Sequence, residues 1–123
     1  MAVTQLTQQN IEETINNNDI VVIDFWAPWC GPCQTFKPIF EEASERHSDA
    51  AFASCNTEEQ TELATMFNVR SIPTLVVFRE KVAIFGQPGA LPAEALDDLM
   101  GKVKELDMTE VHQKVAEQET AQA

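Results

Sequence analysis

Asp24-Phe25-Trp26-Ala27-Pro28-Trp29-Cys30-Gly31-Pro32-Cys33 joins the end of one apolar run to the start of a segment with a different period. Ile20–Trp26 is almost continuously apolar, the pattern of a strand covered on both faces. From Pro32 onward Phe36, Ile39, Phe40 and Ala43 recur at i, i+3, i+4 and i+7, which predicts a helix. The two cysteines therefore stand at a strand-to-helix junction. Cys30 falls at the helix N-terminus, where free N–H groups and the helix dipole favour a thiolate. A thiolate is the attacking species in thiol–disulfide exchange, so Cys30 is the expected nucleophile. Cys33, one turn further on, is placed to attack the resulting mixed disulfide and release the product. Gly31 allows a tight entry, and Pro32 stiffens the loop while removing an N–H that has no helical partner. Two other readings stay open. Zinc needs four ligands, and only Cys55, His47 and His112 remain, none in a second paired spacing. An inert structural pair is the other; neither a metal nor an organic cofactor is expected.

Outward from this junction the chain alternates between the two periods. Thr7 can cap a short helix carrying Ile11 and Ile15, with Asn16-Asn17-Asn18-Asp19 as its exit turn. Pro38 lies inside the helix that follows the cysteines and is expected to kink it. Residues 50–55 read as a strand. Thr57 and Gln60 form a capping-box pattern ahead of a short helix carrying Leu63 and Phe67. Residues 74–78 and 82–85 read as two more strands. Pro92 opens a long helix with Ala95, Leu96, Leu99, Val103 and Leu106 on its inner face. The order βαβαββα, with a short strand before it, predicts an α/β sheet covered by helices. Asp107 with Glu110 can start a further helix, whose Met108, Val111 and Val115 make a thin apolar stripe.

Composition agrees with one ordinary globular domain. The chain has 123 residues, 44% of them hydrophobic and 23% charged, with 4 Gly and 6 Pro. Twenty acids against 8 bases give a net charge of −12, which argues against binding a phosphate backbone or an anionic membrane surface. Residues 1–10 have neither the basic region nor the apolar stretch of a signal peptide, so a cytoplasmic location is expected. In that compartment a Cys-x-x-Cys pair is catalytic or metal-binding more often than structural. The third cysteine, Cys55, reads as a core thiol, with a regulatory thiol as the alternative. His47 and His112 read as surface residues, and Met66, Met100 and Met108 as packing.

The segment from Asp24 to Cys33 resembles the active-site segment of thioredoxins. Pro38, Ile72-Pro73-Thr74 and Gly89-Ala90 follow at matching distances, and the likeness covers about residues 2–105. It implies the thioredoxin fold, a central mixed sheet flanked by helices on both faces. Residues 1–105 form that domain, and 106–123 a C-terminal extension, expected to be a docked but partly mobile helix. It further implies a protein-disulfide reductase with a redox-active Cys30-Cys33 disulfide, recharged by an NADPH-dependent thioredoxin reductase. Such a protein acts on disulfide-bearing proteins, as a monomer, without nucleic acid or membrane. An oxidising enzyme and a redox-gated binding module are the alternatives.

By the same resemblance Asp24 is a buried acid that moves a proton to and from Cys33. The lysine that relatives often set beside it is replaced here by Ser54, so Asp24 is expected to lack a cationic partner and to titrate high. Pro73 matches the family's cis-proline. Ile72, Gly89 and Trp29 would join it in a shallow docking face, and Trp26 reads as a packing wall beneath the site. Three positions depart from the family pattern. Gln34 replaces a basic residue, Ser71 a glycine, and Arg79-Glu80-Lys81 lacks the customary glycine turn and is expected to lengthen or reshape that hairpin. Seven acids and one base fall within residues 41–64, whereas 65–90 carry three bases and one acid. The docking face is therefore expected to be uncharged or slightly basic, with turnover nearly independent of salt.

Overall fold

The computed structural model describes residues 2–122, so Met1 and Ala123 lie outside it. The chain runs β1 (Val3–Gln5), α1 (Ile11–Asn16), β2 (Ile20–Trp26), α2 (Gly31–Arg46), β3 (Ala51–Asn56), α3 (Thr61–Met66), β4 (Thr74–Arg79), β5 (Val82–Pro88), α4 (Ala93–Glu105) and α5 (Met108–Gln122). The strands form one sheet in the order β1-β3-β2-β4-β5. β1, β3 and β2 are parallel, whereas β4 is antiparallel to both β2 and β5. The sheet is mixed, with helices on both faces, as the sequence implies.

β2 is the centre of the sheet and follows the period-two rule strictly. Ile20 and Val22 point into a core with Phe36, Phe40, Phe52, Leu75, Val77, Leu96, Met100 and Val103. Val21, Ile23 and Phe25 point the other way, into a core with Leu6, Ala53, Cys55, Leu63, Val76 and Phe78. The first core lies under α2 and α4, and the second includes Ile11 and Ile15 of α1 and Leu63 of α3. By this alternation Asp24 faces the α2 side. Pro38 lies within α2 but does not end it: the 16-residue helix continues past it to Arg46.

Thr7 does cap the entry to α1: its Oγ1 accepts the Asn10 N–H at 3.3 Å, and Asn10 Oδ1 accepts the Thr7 N–H at 2.7 Å. The Ile11 N–H reaches the Thr7 carbonyl at 3.0 Å, while Asn10, just before the regular helix, makes no side-chain cap bond. Several other local expectations are corrected. The capping box at Thr57 does not form: the Thr57 hydroxyl donates to the Trp26 carbonyl at 3.1 Å, and α3 begins only at Thr61. Met66 is 68% exposed and packs nothing, whereas Met100 and Met108 are buried. His47 is largely covered. Its Nε2 meets Asp97 Oδ1 at 2.8 Å, its Nδ1 lies 3.2 Å from Lys104 Nζ, and its ring stacks on Phe52.

The hairpin between β4 and β5 is not lengthened. Arg79 pairs with Val82 across a two-residue turn, with Glu80 and Lys81 at φ 49° and 70°. Positive φ at both central positions is the geometry of the tight turn that glycine and asparagine favour. Here partners stabilise it instead: Glu80 N–H donates to the Asp19 carbonyl at 2.7 Å, and His112 of α5 meets Glu80 Oε1 at 2.8 Å. Beside it Arg79 Nη1 donates to the carbonyls of Val103 (2.6 Å), Lys104 (3.2 Å) and Leu106 (3.2 Å). Those carbonyls end α4, where only Val103 also accepts a backbone N–H, that of Leu106 at 3.4 Å. Arg79 Nε lies 3.6 Å from Asp19 Oδ2, an ion pair beyond hydrogen-bond length. Asp107 then starts α5 by accepting from the N–H of Thr109 at 3.0 Å, and buried Met108 anchors its first turn.

Arg79→Ala should therefore destabilise the domain by about 2 kcal/mol, through loss of a charged donor to partly buried carbonyls. A lowered urea midpoint with faster proteolytic clipping after residue 105 is the expected result. An unchanged midpoint would show that water satisfies those carbonyls equally well.

Candidate active site

Cys30 is the N-cap of α2, with extended backbone (φ −88°, ψ 114°), and its Sγ accepts the Cys33 N–H at 3.2 Å. Ala27 closes the approach by accepting the Cys30 N–H at 3.2 Å, and Pro32 occupies the first helical turn. The two cysteines are joined as a disulfide with Cα atoms 5.2 Å apart. Both sulfurs are largely covered, Cys33 more than Cys30. Gly31 has open space where a Cβ would stand and no positive φ, so neither sterics nor its dihedral requires the glycine expected to permit a tight entry. Gln34, at the position where a base was expected, reaches back to the Pro28 carbonyl at 3.1 Å and braces the loop.

A second segment meets the first. The Ile72–Pro73 peptide is cis, and the Ile72 carbonyl oxygen lies 3.7 Å from Cys30 Sγ. Gly89 donates its N–H to the Pro73 carbonyl at 2.8 Å and sits at φ +107°, a conformation that side chains disfavour. Nothing lies within 4 Å of a Cβ placed there, so the glycine serves its dihedral. Cys30, Ile72, Pro73 and Gly89 are thus brought to one surface. Trp29 projects beside it, 71% exposed.

Asp24 lies behind the pair. It is 4% exposed, and its Oδ1 has no hydrogen-bond partner among the described residues. In the sheet it stands opposite Ser54 of β3 and Leu75 of β4, so no cation faces it from either neighbouring strand. Burial alone lifts its carboxyl to about 7. A cavity of about 170 Å³ is lined by Asp24, Cys33, Trp26, Ser54, Gln5, Lys37 and Glu41 among others, so the carboxyl and Cys33 face one space. That volume has room for about five waters by liquid density. Trp26 is a wall of this cavity, half-buried, and its carbonyl accepts from Thr57.

Two expectations need comment. Cys55 is fully buried, with its thiol pushed up to about 11 by burial. It belongs to the core on the face of the sheet away from Asp24, so the sheet separates it from the cavity. The docking face is not free of acids, contrary to expectation: Glu58 Oε1 accepts the Trp29 indole N–H. Sequence spacing could not place Glu58 there, because the contact depends on the turn after β3 folding back to the end of β2. Among the described residues no cluster of three metal-binding side chains occurs, and no helix is long and apolar enough to cross a membrane.

The Asp24 pKa carries a stability consequence. A carboxyl raised from 3.8 to about 7 binds more protons folded than unfolded between those values, so stability falls as pH rises through that window. At ~1.4 kcal/mol per pH unit the full effect reaches about 4 kcal/mol. Denaturant unfolding of the oxidised protein from pH 4 to 8 should show this decline, and Asp24→Asn should flatten it. Parallel curves for the two proteins would refute burial as the cause.

The chain matches the Thioredoxin family profile over residues 2–104. It is 51% identical to a Streptomyces coelicolor protein assigned as thioredoxin 2, covering 94% of this chain and 86% of that one. Identity to a Pyropia yezoensis thioredoxin is 38%, covering 83% and 97%. Among solved structures, a mutant thioredoxin from Halobacterium salinarum superposes with a TM-score of 0.79 at 35% identity, covering 85% of this chain and 93% of that one. With its Cys30–Cys33 pair at the head of α2, the chain belongs to the thioredoxin family, thiol–disulfide oxidoreductases that reduce protein disulfides by dithiol exchange.

Proposed function

We propose that Cys30 attacks and Cys33 resolves, with Asp24 as the proton carrier between Cys33 and solvent. The observation that carries this reading is the asymmetry of the pair. Cys30 caps a helix and faces the Ile72 carbonyl at the surface, while Cys33 lines the cavity that holds Asp24. The Cys30 thiolate attacks one sulfur of a substrate disulfide, forming a mixed disulfide and expelling the other sulfur as a thiolate that takes a proton. Asp24 accepts the Cys33 proton, and the Cys33 thiolate attacks Cys30 Sγ. The Cys30–Cys33 disulfide forms and the second substrate thiolate leaves. Two electrons have moved from the protein to the substrate.

Trp29, Ile72, Pro73 and Gly89 form the docking surface in this reading. The Gly89 dihedral holds its loop against Pro73, and exposed Trp29 supplies the apolar contact. Gly31 and Pro32 set the entry to α2. An NADPH-dependent thioredoxin reductase returns the electrons, and the protein works as a monomeric electron carrier in the cytoplasm. A buried, unpaired Cys55 suits such a reducing compartment. Residues 1–105 make up the catalytic domain, with 106–123 as an appended helix.

Insulin reduction driven by NADPH and a thioredoxin reductase tests the assignment. Wild type should turn over, Cys30→Ser should be inactive, and Cys33→Ser should stall as a mixed disulfide through Cys30. Turnover by Cys30→Ser would overturn the assignment of the nucleophile. Asp24→Asn should slow the resolving step and remove an inflection near pH 7 from its rate profile. Superimposable profiles would remove Asp24 from the mechanism.

A further inference from the structure

We propose that Glu58 is a specificity-determining residue, selecting disulfides that carry a lysine or arginine beside the attacked sulfur. The inference rests on Trp29 as docking surface and concerns the carboxylate held against it.

The turn after β3 is fixed to the end of β2 by several bonds. Thr57 donates both its N–H (2.8 Å) and its hydroxyl (3.1 Å) to the Trp26 carbonyl. The Asn56 side chain accepts the Glu58 N–H at 2.9 Å, and its carbonyl accepts from Glu59 (3.2 Å) and Gln60 (2.9 Å). Glu58 is therefore presented to the loop that follows Trp26, where its Oε1 takes the indole N–H of Trp29. Its acidic neighbour Glu62 is directed elsewhere, accepting from Gln8 Nε2. The exposed indole adjoins Cys30 in the chain and bears the Glu58 carboxylate at its edge, so a substrate seated on Trp29 meets a negative charge.

A carboxylate offers about four acceptor positions, and one indole N–H occupies one of them. The rest remain for a cationic donor brought in by the substrate. An exposed ion pair of this kind changes binding by about two- to fivefold, and salt screens it. A purely structural Glu58, one that only orients Trp29, would make no such distinction. Its role as acceptor would survive replacement by glutamine, because the amide oxygen accepts equally well.

The test uses two disulfide peptides identical except for Lys or Glu next to the half-cystine that Cys30 attacks. Wild type should reduce the Lys peptide with roughly fivefold higher kcat/KM at low ionic strength, the ratio falling toward one in high salt. Glu58→Gln should abolish the preference, and Glu58→Lys should invert it in favour of the Glu peptide. Thermal unfolding of each variant serves as the folding control. The same ratio in wild type and Glu58→Gln overturns the proposal, as does an absence of preference in wild type that still reduces insulin. Wild type that reduces neither peptide nor insulin fails the reductase reading itself.

Discussion

A strand covered on both faces leaves no water for a polar side chain, and β2 places a carboxyl in such a strand. Everything distinctive about the site follows from that constraint. The period-two alternation sends Asp24 toward α2, whose first turn carries Cys33. Neither neighbouring strand offers a cation, and a deprotonated Asp24 would leave a buried charge without a partner. The carboxyl therefore holds its proton up to neutral pH and can exchange it there. The cavity adds a space that the carboxyl and Cys33 both line.

The sheet keeps two thiol chemistries apart. One residue along β3 from Ser54, Cys55 points to the opposite core, where burial suppresses its thiolate. Cys30 has a helix N-terminus and an exposed rim; Cys55 has neither. A chain with three cysteines thus keeps a single reactive pair, with the odd thiol held in reserve by packing alone.

Much of this was legible before any coordinates. Continuous apolarity gave β2, the change of period gave α2, and the cysteines between them needed no tertiary information. Asp24 was readable as a buried acid only through the family resemblance, because a lone carboxylate in such a run could also sit at an exposed edge. The turns were not readable, because their partners are remote in sequence. Thr57 could cap a helix or bond to Trp26, and only the register of β2 against β3 decides for Trp26. Glu80 and Lys81 look wrong for a tight hairpin until Asp19 and His112 are seen beside them. Glu58 looked like one more solvated acid among many. Its meaning lies in the indole it touches.

Arg79 and the helix beyond it occupy the other end of the sheet. Arg79 pairs with Ile20 at the start of β2, whereas the cysteines follow its end, seven residues away. At about 3.3 Å per residue the strand puts roughly 20 Å of rigid sheet between them. The tail is thus moored where catalysis does not reach. Met108 and His112 hold α5 to that end, and a change elsewhere along the helix meets neither cysteine. The two ends of β2 thus bear separate burdens: one leads into the disulfide, and the other fastens the last helix to the sheet.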